Sequence, residues 1–414
     1  MTEARAPSSD GASPPAVSRP DAIRRHNLGL VLREVHRDGE LSRAALTARL
    51  EMSRSTIGAL VAELCELELL VESVPVGGDA ANEPAPRAGR PSYLVGPRAD
   101  GPFAVAVDLE VDRVTVAAVT VGGSIGERQV HLLDPAARSA EATADAVASA
   151  VGQVLTRRTP ARLVGVGVSV PGTVLAADGY VEAAPNLGWR GEAFGQMLRD
   201  RLPGVPLAVA NDADMGVLAE HLRGAARDAT DVIYVTGKVG VGAGILLGGH
   251  RLRGAGGLGG ELGHTVLDPG GRPCHCGGRG CVEGLIGEEA LLRSSGRTGP
   301  PDPQSVAAVL ADAGMGDPAA RAGLAEVARS LGQVLANLIN LLNPQVIVLG
   351  GALADILDAA RPAVLAAVEA QAMAAARAMV DIRVSTLAGD SSLLGAAELA
   401  FTPLLTDPLT VAGR

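Results

Sequence analysis

Three of the four cysteines, Cys274, Cys276 and Cys281, fall within eight residues, and His264 lies ten residues upstream of the first. Three thiolates and one imidazole make a closed tetrahedral set. Such a set suits structural Zn2+ and leaves no open position for a catalytic water. Gly277, Gly278 and Gly280 let the loop fold round an ion. His275, between two ligands, reads as solvated, and Cys65, far from the cluster, as a small apolar residue. Glu261 stands three residues before His264 and Glu283 two after Cys281, so a folded metal loop would position both carboxylates. Asn211 and Asp212 follow the apolar run Leu207–Ala210, and Asn186 lies upstream. A carboxylate accepts two hydroxyls and an amide both donates and accepts. Asn186, Asn211, Asp212, Glu261 and Glu283 are therefore candidates to hold a hydroxyl-rich ligand.

The elements that must hold these residues alternate. Phe103–Asp108, Val114–Val121, Leu163–Val170, Leu207–Ala210, Val232–Val235 and Val346–Leu349 are short apolar runs that predict strands, with Gly122-Gly123 as a hairpin turn. Ala140–Leu155 and Leu324–Leu342 predict helices. In the latter, Leu324, Val327, Leu331, Val334, Leu335, Leu338 and Leu341 recur at helical spacing. The alternation predicts an α/β domain in two lobes. Asn211-Asp212 then sits at the C-terminal end of a strand, where ligands enter such sheets. Asp212 is also placed to cap a helix over Met215–Leu222.

A different texture precedes this domain. Ile23, Leu28, Val31, Leu32 and Val35 form a helical stripe, and Ser42 and Ser53 stand as N-caps before Arg43–Leu50 and Arg54–Cys65. This pattern predicts a helix-turn-helix. Ile57, Leu60, Val61 and Leu64 face inward in the last helix. Arg54, Ser55, Thr56 and Ala59 face out near the end that enters a major groove, with Arg43 close by and Gly58 keeping that face thin. Leu69–Val74 and Ser92–Val95 predict the strands of a wing, whose loop carries Arg87 and Arg90 beside Gly and Pro for a narrow minor groove.

The motifs Ser169-Val-Pro-Gly172, Pro185-Asn-Leu-Gly-Trp189, Asn211-Asp212, Gly240-Val-Gly-Ala-Gly244, Gly260-Glu-Leu-Gly-His264, Cys274-His-Cys-Gly-Gly-Arg-Gly-Cys-Val-Glu283 and Leu349-Gly-Gly-Ala352 occur in that order. On these motifs, from about Arg24 to Ala400, the chain resembles the ROK family of repressors, open reading frames and kinases. The resemblance implies an actin-like, hexokinase-like pair of ribonuclease-H-like lobes with ligand in the cleft. It also implies that Asn186, Asn211, Asp212, Glu261, His264 and Glu283 contact a sugar. Asp212 matches the kinase base that activates the attacked hydroxyl, and His264 matches a residue that serves both zinc and sugar.

The phosphate loops depart from the family's kinases. Where those have Asp-x-Gly-Gly-Thr-Lys, this chain reads Asp108-Leu-Glu-Val-Asp-Arg113. Without the glycines the turn cannot aim amides at a phosphate, and Glu110 and Asp112 stand where triphosphate would lie. A Leu-Gly-Thr becomes Gly237-Lys-Val239, so a hydroxyl is lost. Lys238 is readable as a phosphate contact or as a turn residue, and Gly350-Gly351 as a nucleotide turn or as close packing. No functional ATP site is expected, and Asp212 is expected to bind sugar rather than to catalyse.

Composition bounds the rest. The chain has 414 residues, a net charge of -10, 47% hydrophobic and 2% aromatic residues. This excludes bulk-charge binding of nucleic acid and aromatic stacking platforms. Locally, residues 22–60 hold seven Arg against four acids, while residues 61–86 hold six acids and no base. The single lysine is Lys238. No apolar run spans a bilayer, and residues 1–20 lack the hydrophobic stretch of a signal peptide, so a cytoplasmic protein without membrane partners is expected. The expected organisation is a disordered tail over 1–20, a winged helix-turn-helix over 21–97 and a ROK domain over 102–405. The lobes of that domain run over about 102–215 with the C-terminal helix, and over 216–390. The functional expectation is a sugar-responsive regulator of carbohydrate genes, a repressor. It binds an inverted-repeat operator as a homodimer or homotetramer. The alternatives are an ATP-dependent sugar kinase with a DNA-binding domain and a scaffold answering to a protein partner.

Overall fold

The computed structural model describes residues 19–74, 93–134, 138–158, 162–175, 177–299 and 303–412. Contacts divide these into two units. One takes residues 19–35, 40–74, 93–96 and 403–412; the other takes 36–39 and 97–402, within the described ranges.

The first unit is built on the helix beginning at Arg19, then Arg43–Leu50 and Arg54–Glu66. Ser42 and Ser53 cap the two shorter helices, accepting from Ala45 N–H and Thr56 N–H, each at 3.1 Å. Such caps satisfy amides that a helix leaves open at its start. Leu28, Val31, Leu32, Leu46, Ile57, Val61 and Leu64 are fully buried. A small sheet adds strands in the order Leu41–Ser42, Leu94–Pro97, Leu70–Ser73. The C-terminal residues belong here too, beyond what the sequence led us to expect. Arg25 pairs with Asp407 at 2.8 Å, and Arg33 donates to the Leu405 carbonyl at 2.9 Å.

The second unit contains one sheet plan used twice. In the first sheet the order is Leu207–Asn211, Leu163–Val170, Phe103–Leu109, Arg113–Thr120, Ile125–Leu132. In the second it is His250–Arg251, Val241–Leu247, Val232–Gly237, Val346–Gly351, Asp381–Val384. Each begins with a central strand and an antiparallel hairpin partner on one side, with two parallel strands on the other. Parallel neighbours need crossover helices, and these bury the sheet faces. Ala140–Thr156 contributes Val147, Val151 and Val154 to the first core. Pro318–Leu342 contributes Val327, Leu331, Leu335 and Ile339 to the second. The latter helix ends at Asn343 in the left-handed conformation, with Pro344 following. Ile125–Leu132 alternates between half-buried and exposed residues, as an edge strand does.

A buried ionic cluster ties elements distant in sequence within this unit. Glu398 accepts from His36 Nε2 at 2.7 Å and from Arg223 Nε at 2.5 Å. Burial raises the Glu398 carboxyl, but His36 and Arg223 outweigh it and hold it below its ordinary range.

Candidate functional site

The metal loop is closed by its own backbone. Leu267 N–H donates to Gly280 O at 2.9 Å, Val282 N–H to Thr265 O at 2.9 Å, and Cys274 N–H to Gly278 O at 2.9 Å. The fold gathers His264, Cys274, Cys276 and Cys281 so that one donor atom from each lies within 4.8 Å of the others. Cys276 and Cys281 Sγ stand 3.7 Å apart, and Cys274 Sγ stands 3.8 Å from His264 Nδ1. Thiolates about 2.3 Å from a tetrahedral ion stand about 3.8 Å from one another, so the donor set fits a metal such as zinc. Burial and the neighbouring thiols push Cys281 up to about 12. Thiolates held this close need a cation to stay ionised.

Next to this loop lie the candidate hydroxyl acceptors. Glu283 accepts from Val241 N–H at 3.2 Å. A Cβ at Gly240 would stand 2.7 Å from Glu283 Oε2 and 3.5 Å from Asn186 Nδ2, so the backbone runs close past both side chains and a larger residue there would displace the Glu283 carboxylate. Thr173 donates its hydroxyl to Glu261 at 3.2 Å. Asp212 is partly buried, and burial lifts its carboxyl above the ordinary range. The helix cap is Asn211, not Asp212, which becomes the first helical residue of Asp212–Leu222. Asn211 Oδ1 accepts from Ala213 and Asp214 N–H, and its Nδ2 donates to Gly172 O at 2.8 Å. Its amide is therefore mainly engaged in building the strand end, because an Asn at an N-cap reaches two free amides at once. His275, expected to be solvated, places Nδ1 3.3 Å from Glu283 Oε1 and its ring edge-on to His264 at 5.3 Å.

On the phosphate side, Lys238 Nζ donates to Glu110 at 2.9 Å and lies 3.7 Å from Asp108. Burial pulls the Lys238 ammonium down, but Asp108, Glu110 and Asp212 outweigh this and raise it well above its ordinary range. Asp108 is pushed up to about 6 by burial, with Glu110 and Asp212 adding to the shift and Lys238 opposing it. The Ser169 hydroxyl, on the register neighbour of Asp108, acts on that carboxyl and lowers it against burial, and the Thr236 hydroxyl does the same for Tyr234. Asp112 does not join this group. It turns to Arg113, at 2.9 and 2.7 Å, because an adjacent guanidinium offers it a bidentate partner. A Cβ at Gly350 would stand 2.3 Å from Tyr234 Oη, so that glycine is required by packing. The sequence reading missed Asp108, Thr173 and the partner of His275. The one available signal was that Lys238 is the only lysine.

In the first unit, Arg54, Ser55, Thr56 and Ala59 are exposed on one face of their helix, while Ile57, Leu60, Val61 and Leu64 are buried. Arg43, expected among the outward residues, is instead held in a two-pronged pair with Glu72 and lies 5.5 Å from the Tyr93 ring centroid. The acidic strand after the helices captures it, a bidentate geometry that a carboxylate favours with arginine. Arg87 and Arg90 lie outside the described residues.

The ROK family matches residues 104–402. The xylose repressor of Bacillus spizizenii is 29% identical over 329 residues, covering 79% of this chain and 82% of the repressor. A glucokinase of Streptomyces coelicolor is 30% identical over 322 residues, covering 74% of this chain and 98% of the enzyme. A crystal structure of a ROK family transcriptional regulator, described as a homolog of the E. coli MLC protein, matches with a TM-score of 0.76. At 24% identity it covers 95% of this chain and 100% of that one, which speaks to the fold.

Proposed function

The chain belongs to the ROK family, and we propose that it works there as a sugar-responsive, DNA-binding transcriptional repressor. One observation carries this reading: a capped helix with Arg54, Ser55, Thr56 and Ala59 on its open face shares a chain with a ROK domain. Small polar residues at a helix N-terminus, backed by a buried apolar face, are what a major groove admits. The relative named as a xylose repressor supports the same reading. We assign operator contact to Arg54, Ser55, Thr56 and Ala59, with Arg43 holding the strand rather than the DNA. A dimer across an inverted repeat would present two such helices. The effector is a sugar held by Asn186, Asp212, Glu261, His264 and Glu283.

Structural zinc on His264, Cys274, Cys276 and Cys281 would hold the loop that carries Glu283 and follows Glu261. The ion supplies a fixed positive centre that keeps three thiolates ionised. The sugar must bind one conformation better than the other to release DNA. Moving the population from 1:99 to 99:1 takes about 5.5 kcal/mol of preference.

The test is fluorescence anisotropy on DNA from the protein's own upstream region, with and without sugars. Arg54→Ala should weaken binding by about 1–3 kcal/mol and relax sequence preference, and one sugar should release the DNA. Equal binding by wild type and Arg54→Ala, with no sugar effect, would refute the reading. Asp212 and the glucokinase relative favour a second reading, a sugar kinase. ATP-dependent phosphorylation of a sugar, abolished by Asp212→Asn, would establish it.

A further inference from the structure

The carboxylates assigned to the sugar are Asp212, Glu261 and Glu283, and on the phosphate side Asp108 and Glu110 flank the Lys238 turn without belonging to that set. Glu283 reaches the Gly240 turn, and Asp212 Oδ1 lies 4.0 Å from where a Gly242 Cβ would stand. Asp212 feels the charges of both Lys238 and Glu261. Lys238 feels Asp108, Glu110 and Asp212. Among the described residues, the cation within ion-pair distance of both Asp108 and Glu110 is Lys238, while Arg113 meets Glu110 alone at 3.3 Å. Lys238 is two-thirds buried, with 34% of its side chain exposed, and already engaged. Asp108 is 5% exposed.

From this arrangement we propose that the effector is a sugar carrying no negative charge, and that phosphorylated and acidic sugars are excluded by the carboxylates that Lys238 only partly offsets. This rests on the sensor reading above and adds the charge class of its ligand. An uncharged hydroxyl can donate to Asp212, Glu261 or Glu283, and a protonated Asp108 or Asp212 can donate in return. A phosphate dianion has nothing to donate and meets like charge at a few ångströms, in a site drier than bulk water. Lys238 meets a phosphate only with an ammonium whose charge is already offset by Glu110 at 2.9 Å and Asp108 at 3.7 Å. Glu110 is the residue that decides the matter. It holds the one ammonium, and it touches none of the groups assigned to the sugar.

Isothermal titration of the full-length zinc-loaded protein tests this with D-xylose, D-glucose, N-acetyl-D-glucosamine, glucose 6-phosphate, N-acetylglucosamine 6-phosphate and glucuronate. At least one uncharged sugar should bind, and at least about tenfold tighter than its phosphorylated or acidic form. Glu110→Gln, which frees Lys238, should narrow that ratio about tenfold through the charged form, leaving the uncharged sugar within a factor of about two. A charged form that binds as tightly as its parent or tighter overturns the inference while leaving the sensor reading standing. An unchanged ratio in Glu110→Gln overturns the assigned role of the carboxylates. Binding of none of the six compounds overturns the sensor reading and the inference with it.

Discussion

Two hairpin turns occupy the same place in two sheets of the same plan, and they carry opposite charge. In the first sheet the turn after the central strand is Glu110-Val111-Asp112; in the second it is Lys238-Val239-Gly240. The two meet through the 2.9 Å pair between Glu110 and Lys238. A repeated fold brings equivalent turns together, so each can bind a shared ligand or the other turn. Here they bind each other. Elsewhere in the site the Cys–His loop gathers a metal-type donor set, with Glu283 accepting from the Val241 amide and Glu261 from the Thr173 hydroxyl. One part is organised by a side-chain ion pair, the other by a cluster that asks for an ion.

That contrast can be broken from either side. The largest effect should follow loss of the cluster. Cys281→Ser, or a strong zinc chelator, should cost about 5 kcal/mol of stability, because a site absent from the unfolded chain returns its binding energy to folding. Thermal melts with metal analysis by mass spectrometry would check this, and an unshifted melting temperature would count against a structural ion.

Next comes Asp108. Its folded-state pKa of about 6 lies above its ordinary 3.8. The native protein therefore holds more protons than the unfolded chain between those values, and stability falls as pH rises through that window. Asp108→Asn should remove this slope and raise stability at pH 7 by up to about 3 kcal/mol. The quantity to measure is the difference between variant and wild type from pH 4 to 8, which cancels acid effects on the cysteines. A flat difference would sink the prediction.

Lys238→Met should cost about 1–3 kcal/mol by leaving buried carboxylates uncompensated, a range reduced for the part of the side chain that meets water. Adding Glu110→Gln should recover part of the loss, and strict additivity in urea melts would deny the pairing. The smallest effect should come from His275→Ala. Without its imidazole Glu283 keeps the Val241 amide but loses one fixed direction. Sugar affinity should fall about fivefold, roughly 1 kcal/mol, with the metal retained. Loss of metal in that variant would show that His275 serves the cluster instead.

How much of this was legible in the chain depends on sequence distance. The capped helices were legible because a cap and its amide lie three residues apart, as Ser53 and Thr56 do. Strands such as Leu163–Val170 were legible as apolar runs between turns. The metal set was legible because three ligands crowd one loop. The edge strand Ile125–Leu132 was not, since its half-buried face carries Ile125, Glu127, Gln129 and His131 while Val130 and Leu132 lie exposed, so its apolar residues do not mark the inward face. Arg43 was misplaced because local spacing puts it on an open face, while Glu72, which claims it, comes 29 residues later. The pairing of Glu110 with Lys238 spans 128 residues, and no local rule joins two turns of different sheets. The cluster of His36, Arg223 and Glu398 was invisible for the same reason. Asn211 and Asp212 show a finer limit. Either could cap the helix, and only the strand end decides which one turns back onto it.

The solitary lysine has a practical consequence. A chain with one ε-amine carries one intrinsic reporter. Biosynthetic labelling with 13C-lysine would mark Lys238 alone. Its ε-methylene resonance would then arise from a single known position, beside Glu110 and Asp108. Occupation of the pocket, protonation of the surrounding acids and any parting of the two turns would each be visible at that frequency, in the intact protein and without an engineered probe.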